Sequence, residues 1–154
     1  MKFQVGDKEI ELFQIRQVAK VLGVTNEAIR KKEERNQVPK AIFHNDAGSR
    51  LYSPEEIAMF DYLFKSLWKR RQGVKLPDEF VQAAHKAFNI VRREVLENGR
   101  VDTPDILDPV QAIWNGFVPG VAYTHILHWR AILLGEEEEV DVGEFNLDQF
   151  LNNY

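Results

Sequence analysis

The sequence predicts a mainly α-helical fold with short β-hairpins near its N-terminal end, and three observations carry that prediction. Apolar residues recur at helical spacing from Phe13 onward, short alternating runs flank turn residues before Ser53, and glycine, proline and capping residues mark where elements stop and start. With 154 residues, 44% of them hydrophobic, the chain can bury one ordinary core without staples.

The elements follow in order. Phe3-Gln4-Val5 and Glu9-Ile10-Glu11-Leu12 alternate around Gly6-Asp7, which predicts a hairpin with glycine at the turn. From Phe13 the period becomes helical, with Phe13, Ile15, Val18, Ala19 and Leu22 on one stripe. Gly23 ends that helix, and Thr25 caps a second running from Asn26 to about Asn36. Pro39 forces extended backbone, Ala41-Ile42-Phe43 reads as a strand, His44 to Ser49 is turn chemistry, and Arg50-Leu51-Tyr52 returns as a second strand. Helix, tight turn, cation-rich helix and two-stranded flap are the parts of a winged helix-turn-helix.

Ser53-Pro54-Glu55-Glu56 supplies a capping serine, a proline at the first helical position and a capping-box glutamate, so it opens a third helix. Its expected core face is Ile57, Phe60, Leu63, Phe64, Leu67 and Trp68, and it closes on Lys69-Arg70-Arg71, where cations also suit the helix dipole. Gly73 to Pro77 reads as an internal boundary. Beyond it Phe80, Val81, Ala84, Ala87, Phe88, Val91, Val95 and Leu96 keep helical spacing up to Gly99, Thr103-Pro104 and Asp108-Pro109 start further helices, and Pro119-Gly120 breaks the chain before a last helix from about Val121 to Leu134. The expected organisation is a winged helix-turn-helix over 1–72, a helical assembly region over 77–134, and an acidic tail over 135–154.

Charge divides the same way. Residues 1–75 hold fifteen Lys and Arg against ten Asp and Glu, a balance of +5; residues 76–154 hold five against fourteen, a balance of -9. A net charge of -4 therefore hides a basic front half suited to phosphate. The absence of cysteine excludes disulfides, thiolate metal sites and a cysteine nucleophile. No apolar run approaches the roughly 18 residues of a membrane span, and no signal-peptide stretch opens the chain. The expectation is a soluble protein of the cytoplasm, whether nucleoid or host cytoplasm.

Ile15-Arg16-Gln17-Val18-Ala19-Lys20-Val21-Leu22-Gly23-Val24-Thr25, then Ile29-Arg30, Glu33, Val38-Pro39, and Gly48-Ser49-Arg50-Leu51-Tyr52-Ser53-Pro54-Glu55-Glu56-Ile57 together resemble the winged helix-turn-helix domain of the MerR superfamily over about residues 13–67. The arrangement is similar also to the winged helix of viral terminase small subunits. A helix-turn-helix points the N-terminal part of its second helix into the major groove. Asn26, Glu27, Arg30 and Lys31 are then the candidates for base edges, because arginine forks onto guanine, asparagine onto adenine, and glutamate accepts from cytosine. The resemblance implies phosphate contact by Arg50 and Tyr52, with Arg16 and Lys40 as further candidates. A solvated helix face for the first set, and an inward-packed ring for Tyr52, stay open.

The chain departs from the family pattern at Lys31-Lys32, where aromatics are common, and its broken C-terminal helices do not match a coiled-coil sensor. His125 and His128 lie three apart near Trp129, a spacing open to metal but without supporting ligands, so packing is the expected role and no metal or cofactor is called for. Trp114, Phe117, Tyr123 and Trp129 read as core or interface, and Glu136 to Glu139 as a solvated linker. Phe145, Leu147, Phe150 and Leu151 form an adhesive segment for a protein partner. No phosphate loop, nucleophile elbow or carboxylate pair marks an enzyme. The sequence thus points to double-stranded DNA as partner of a homo-oligomeric transcription regulator. A DNA-recognition subunit of a viral packaging or chromosome-anchoring machine, and a winged-helix protein adaptor, are the alternatives.

Overall fold

In the computed structural model, residues 1–63, 78–111 and 117–136 are described. The alternation around Gly6 forms β1 (Lys2–Val5) and β2 (Lys8–Glu11), antiparallel with Phe3 opposite Ile10, and Gly6 takes the left-handed φ of 61° that the turn needs. Ile10 and Leu12 are buried, and the amino terminus is tied back to Glu11.

The first helix begins two residues later than the apolar stripe suggests. Phe13 and Gln14 are extended as β3, paired with the returning wing strand, and α1 covers Ile15–Leu22. The Gln17 side chain accepts the Gln14 backbone N–H at 2.9 Å, which closes the helix start at Gln14. Ile15, Val18, Ala19 and Leu22 are buried as expected. Gly23, at φ 72°, ends the helix, and the Thr25 hydroxyl accepts the Ala28 N–H at 3.0 Å to open α2 (Asn26–Glu34). The end of α2 comes before Asn36, which itself adopts a left-handed φ of 56°. The Asn36 and Gln37 N–H groups there bond the carbonyls of Glu33 and Lys32.

The wing is β4 (Phe43–His44) and β5 (Arg50–Tyr52), with β5 central in the order β3-β5-β4. Its strand starts at Phe43 rather than Ala41, because the Ala41 N–H is taken by the Glu33 carboxylate at 3.3 Å instead of by a strand. The tip is closed by the Asn45 side chain, which accepts the Ser49 N–H at 2.9 Å.

The expected capping box opens α3 (Pro54–Leu63). The Ser53 hydroxyl accepts the Glu56 N–H at 3.2 Å, and the Glu56 carboxylate accepts the Ser53 N–H at 3.0 Å. Ser53→Ala is expected to cost about 1–2 kcal/mol, read as a lower denaturant midpoint at unchanged slope.

The one-sided face expected for α3 is corrected by its surroundings: every residue from Pro54 to Leu63 is buried. The cause is α4 (Asp78–Asn98) on one side and α6 (Pro119–Leu134) on another. Between them run a 3-10 turn (Pro104–Leu107) and the short α5 (Asp108–Gln111). Pro119 does not break the chain but sits in the first turn of α6, where proline's missing N–H is harmless. Gly99 and Gly135 close α4 and α6 at left-handed φ.

One hydrophobic cluster runs from Ile10 in the first hairpin through Ile29, Leu51 and Phe60 to Phe88, Phe117 and Trp129. Phe60 stands edge-on to both Tyr52 and Phe88, and Tyr62 to Phe117 and His125. Three acids of α3 are drawn into this core with partners from the other helices. Glu55 meets Arg130 at 2.7 Å, Glu56 meets Arg92 at 2.8 Å, and Asp61 lies 3.2 Å from His125. The fold is mainly helical with short N-terminal strands, as the sequence predicts. Phe64, Leu67, Trp68, the Lys69 to Arg71 cluster, the 73–77 boundary, Ile113, Trp114 and the segment after Glu136 lie outside the described residues.

Candidate nucleic-acid interface

The second helix has two distinct faces. Ile29 and Glu33 point inward, at 1% and 8% exposure, which turns Glu27 and Lys31 fully outward and leaves Asn26 and Arg30 half-exposed. All four belong to the first two turns of α2, the part that a helix-turn-helix offers to base edges. On α1, Arg16 and Lys20 are exposed, and Lys40 is exposed on the approach to the wing. The neighbouring Lys32 is turned partly inward, with Nζ 3.4 Å from the Gln37 side chain; burial, and then Arg35, lower its ammonium pKa from the ordinary value.

Glu33 joins this helix to the wing. Arg50 donates Nε to Glu33 Oε2 at 3.0 Å and Nη2 to Oε1 at 3.1 Å, while the same carboxylate holds the Ala41 N–H. The paired hydrogen bonds raise the Arg50 pKa further, so its charge is permanent. Sequence reasoning gave Glu33 no site role. The available signal was a carboxylate four residues after Ile29, at the next inward position of the helix.

Tyr52 is placed differently from the phosphate-contacting role. It is 0% exposed, opposite Phe13 and edge-on to Phe60, and its hydroxyl has no hydrogen-bond partner among the described residues. Burial pushes the phenol well above its ordinary pKa. The ring and hydroxyl are enclosed because β5 is the central strand with α3 behind it.

A second helix that turns Arg30 and Lys31 outward and is braced against a two-stranded wing is the geometry of a DNA-reading head, and comparison with known families agrees. The profile of the family described as MerR HTH family regulatory protein matches residues 13–72. Residues 13–72 are a MerR-type helix-turn-helix domain. No match is found among curated proteins or among solved structures. This match supports a DNA-binding protein of the transcription-regulator kind.

In this MerR-type domain the buried Tyr52 hydroxyl gives a direct test. Tyr52→Phe is expected to leave affinity for duplex DNA and its salt dependence unchanged, and to stabilise the fold by about 1 kcal/mol, since it removes an unsatisfied buried hydroxyl. Titration at several salt concentrations, beside thermal unfolding, checks both.

Outside the MerR-type domain, His125 is fully buried between Asp61 and the Val121 carbonyl, while His128 stands edge-on to Trp129 at 5.9 Å. Among the described residues no three His, Asp or Glu side chains gather as a metal site, and no helix is long and apolar enough to cross a membrane. Phe145, Leu147, Phe150 and Leu151 lie outside the described residues.

Proposed function

We propose that the protein is a sequence-specific double-stranded DNA-binding regulator of transcription, acting without a metal sensor. The observation that carries this is the division of α2 into an anchored face, Ile29 and Glu33, and an outer face bearing Asn26, Glu27, Arg30 and Lys31. An arginine held half-exposed in the second turn keeps its fork free for a guanine, and each such bidentate contact contributes about 1–3 kcal/mol of discrimination. Arg16 and Lys40 flank that face as phosphate contacts, which fix register and carry the salt dependence. Arg50 acts through Glu33, setting the angle of the wing rather than reading sequence.

The test is selection of bound duplexes from a random library, followed by two variants. Arg30→Ala is expected to relax preference at one base position, whereas Lys40→Ala is expected to weaken all duplexes alike and to reduce the salt slope by about 1. Equal effects of both on every sequence would overturn this division of roles. A two-fold symmetric enriched motif fits a dimeric regulator. A ring of many subunits in light scattering would instead favour a DNA-packaging subunit, and no retained duplex at about 50 mM salt would favour an adaptor.

A further inference from the structure

We propose that an open groove along α4 receives the chain's own acidic C-terminal segment, residues 137–154. The groove, of about 780 Å³, is lined by Val81, His85, Lys86, Ile90, Arg93 and Ile106 among others, and reaches Asn36 at the end of α2. Its floor is apolar and its rim carries cations, with no carboxylate among the described lining residues. Lys86 and Arg93 are exposed and form no ion pair among the described residues.

The occupant is argued from charge and reach. Residues 137–154 hold six Asp and Glu and no Lys, Arg or His, interspersed with Phe145, Leu147, Phe150 and Leu151. They are therefore complementary to a groove that is cationic at the rim and apolar beneath. The segment also starts at the correct end. Glu136 accepts two hydrogen bonds from Arg100, at 3.3 and 3.0 Å, which fixes the chain just beyond the C-terminus of α4. From there to Val81 is about 27 Å along the helix at 1.5 Å per residue. The eight residues 137–144 span up to about 27 Å when extended, so Phe145 and its successors reach any part of the groove. Running back along α4, the segment meets Arg93 first and then Lys86. Five of its acids precede Phe145, matching that order.

Hydrogen–deuterium exchange on the full chain tests the docking. In the wild type, amides between 140 and 152 are expected to exchange about tenfold or more below the unprotected rate, together with protection on the exposed side of α4. In the Lys86→Glu, Arg93→Glu double variant that protection is expected to vanish while α3 and α6 keep theirs, which separates undocking from unfolding. Unprotected tail amides in the wild type overturn the proposal, as does protection unchanged in the double variant. Protection that rises with protein concentration assigns the groove to a second copy's tail and overturns docking within one molecule. An unprotected wild-type tail with weaker duplex binding in the double variant assigns the cations to phosphate.

Discussion

Arg130→Ala is expected to destabilise the protein by about 3–5 kcal/mol, the range for breaking a buried ion pair from one side. Arg130 is 1% exposed on α6, and Glu55, 3% exposed on α3, receives both its Nε and Nη2 at 3.0 and 2.7 Å. A second acceptor, the Val101 carbonyl, holds the same guanidinium. Alanine removes every donor that Arg130 offers and leaves Glu55 enclosed, with only the more distant charge of Arg100 to offset its own. The double variant Arg130→Met, Glu55→Leu is expected to recover most of the loss, because two apolar side chains of similar bulk bury no uncompensated charge. Denaturant unfolding of the three proteins checks this. A single-variant loss under about 1 kcal/mol would mean that water reaches Glu55 and that the pair is worth only what surface pairs are.

The second large effect is expected at the brace between α2 and the wing. Glu33→Ala and Arg50→Ala are each expected to weaken binding to the selected duplex by about tenfold, equivalent to about 1.4 kcal/mol. The double variant is expected to be no worse than either single one, since both changes remove the same pair of hydrogen bonds. Independent phosphate contact by Arg50 gives a different pattern: additive losses, with a salt slope reduced by about 1 for Arg50→Ala alone. Stability effects at this pair are smaller than at Arg130, because the Arg50 side chain keeps 30% of its surface in water.

Much of the architecture was written in local chemistry. Gly6, Gly23 and the Ser53 to Glu56 capping box act within a few residues of themselves, so reading them needed no knowledge of the rest of the chain. The outward side of α2 followed equally well once Ile29 was placed inward. The failures share a cause in distance along the sequence. Glu55, Glu56 and Asp61 look like the solvent side of an amphipathic helix until Arg130, Arg92 and His125 arrive from 75, 36 and more than 60 residues away. Phe13 looks helical until its pairing with Tyr52 is known, and that pairing also hides the tyrosine. Glu33 was ambiguous for the same reason, its partner Arg50 lying 17 residues on.

Buried acids on α3 also limit how this protein can be re-engineered. A DNA-reading head is attractive as a transplantable cassette, to be cut out and grafted onto another effector. Cutting after residue 72 would strip α4 and α6 from α3, baring Ala58, Met59, Tyr62 and Leu63 while stranding three carboxylates whose partners lie on the missing helices. A portable version would need those acids replaced and that surface made polar. Otherwise the graft must carry the whole helical half with it.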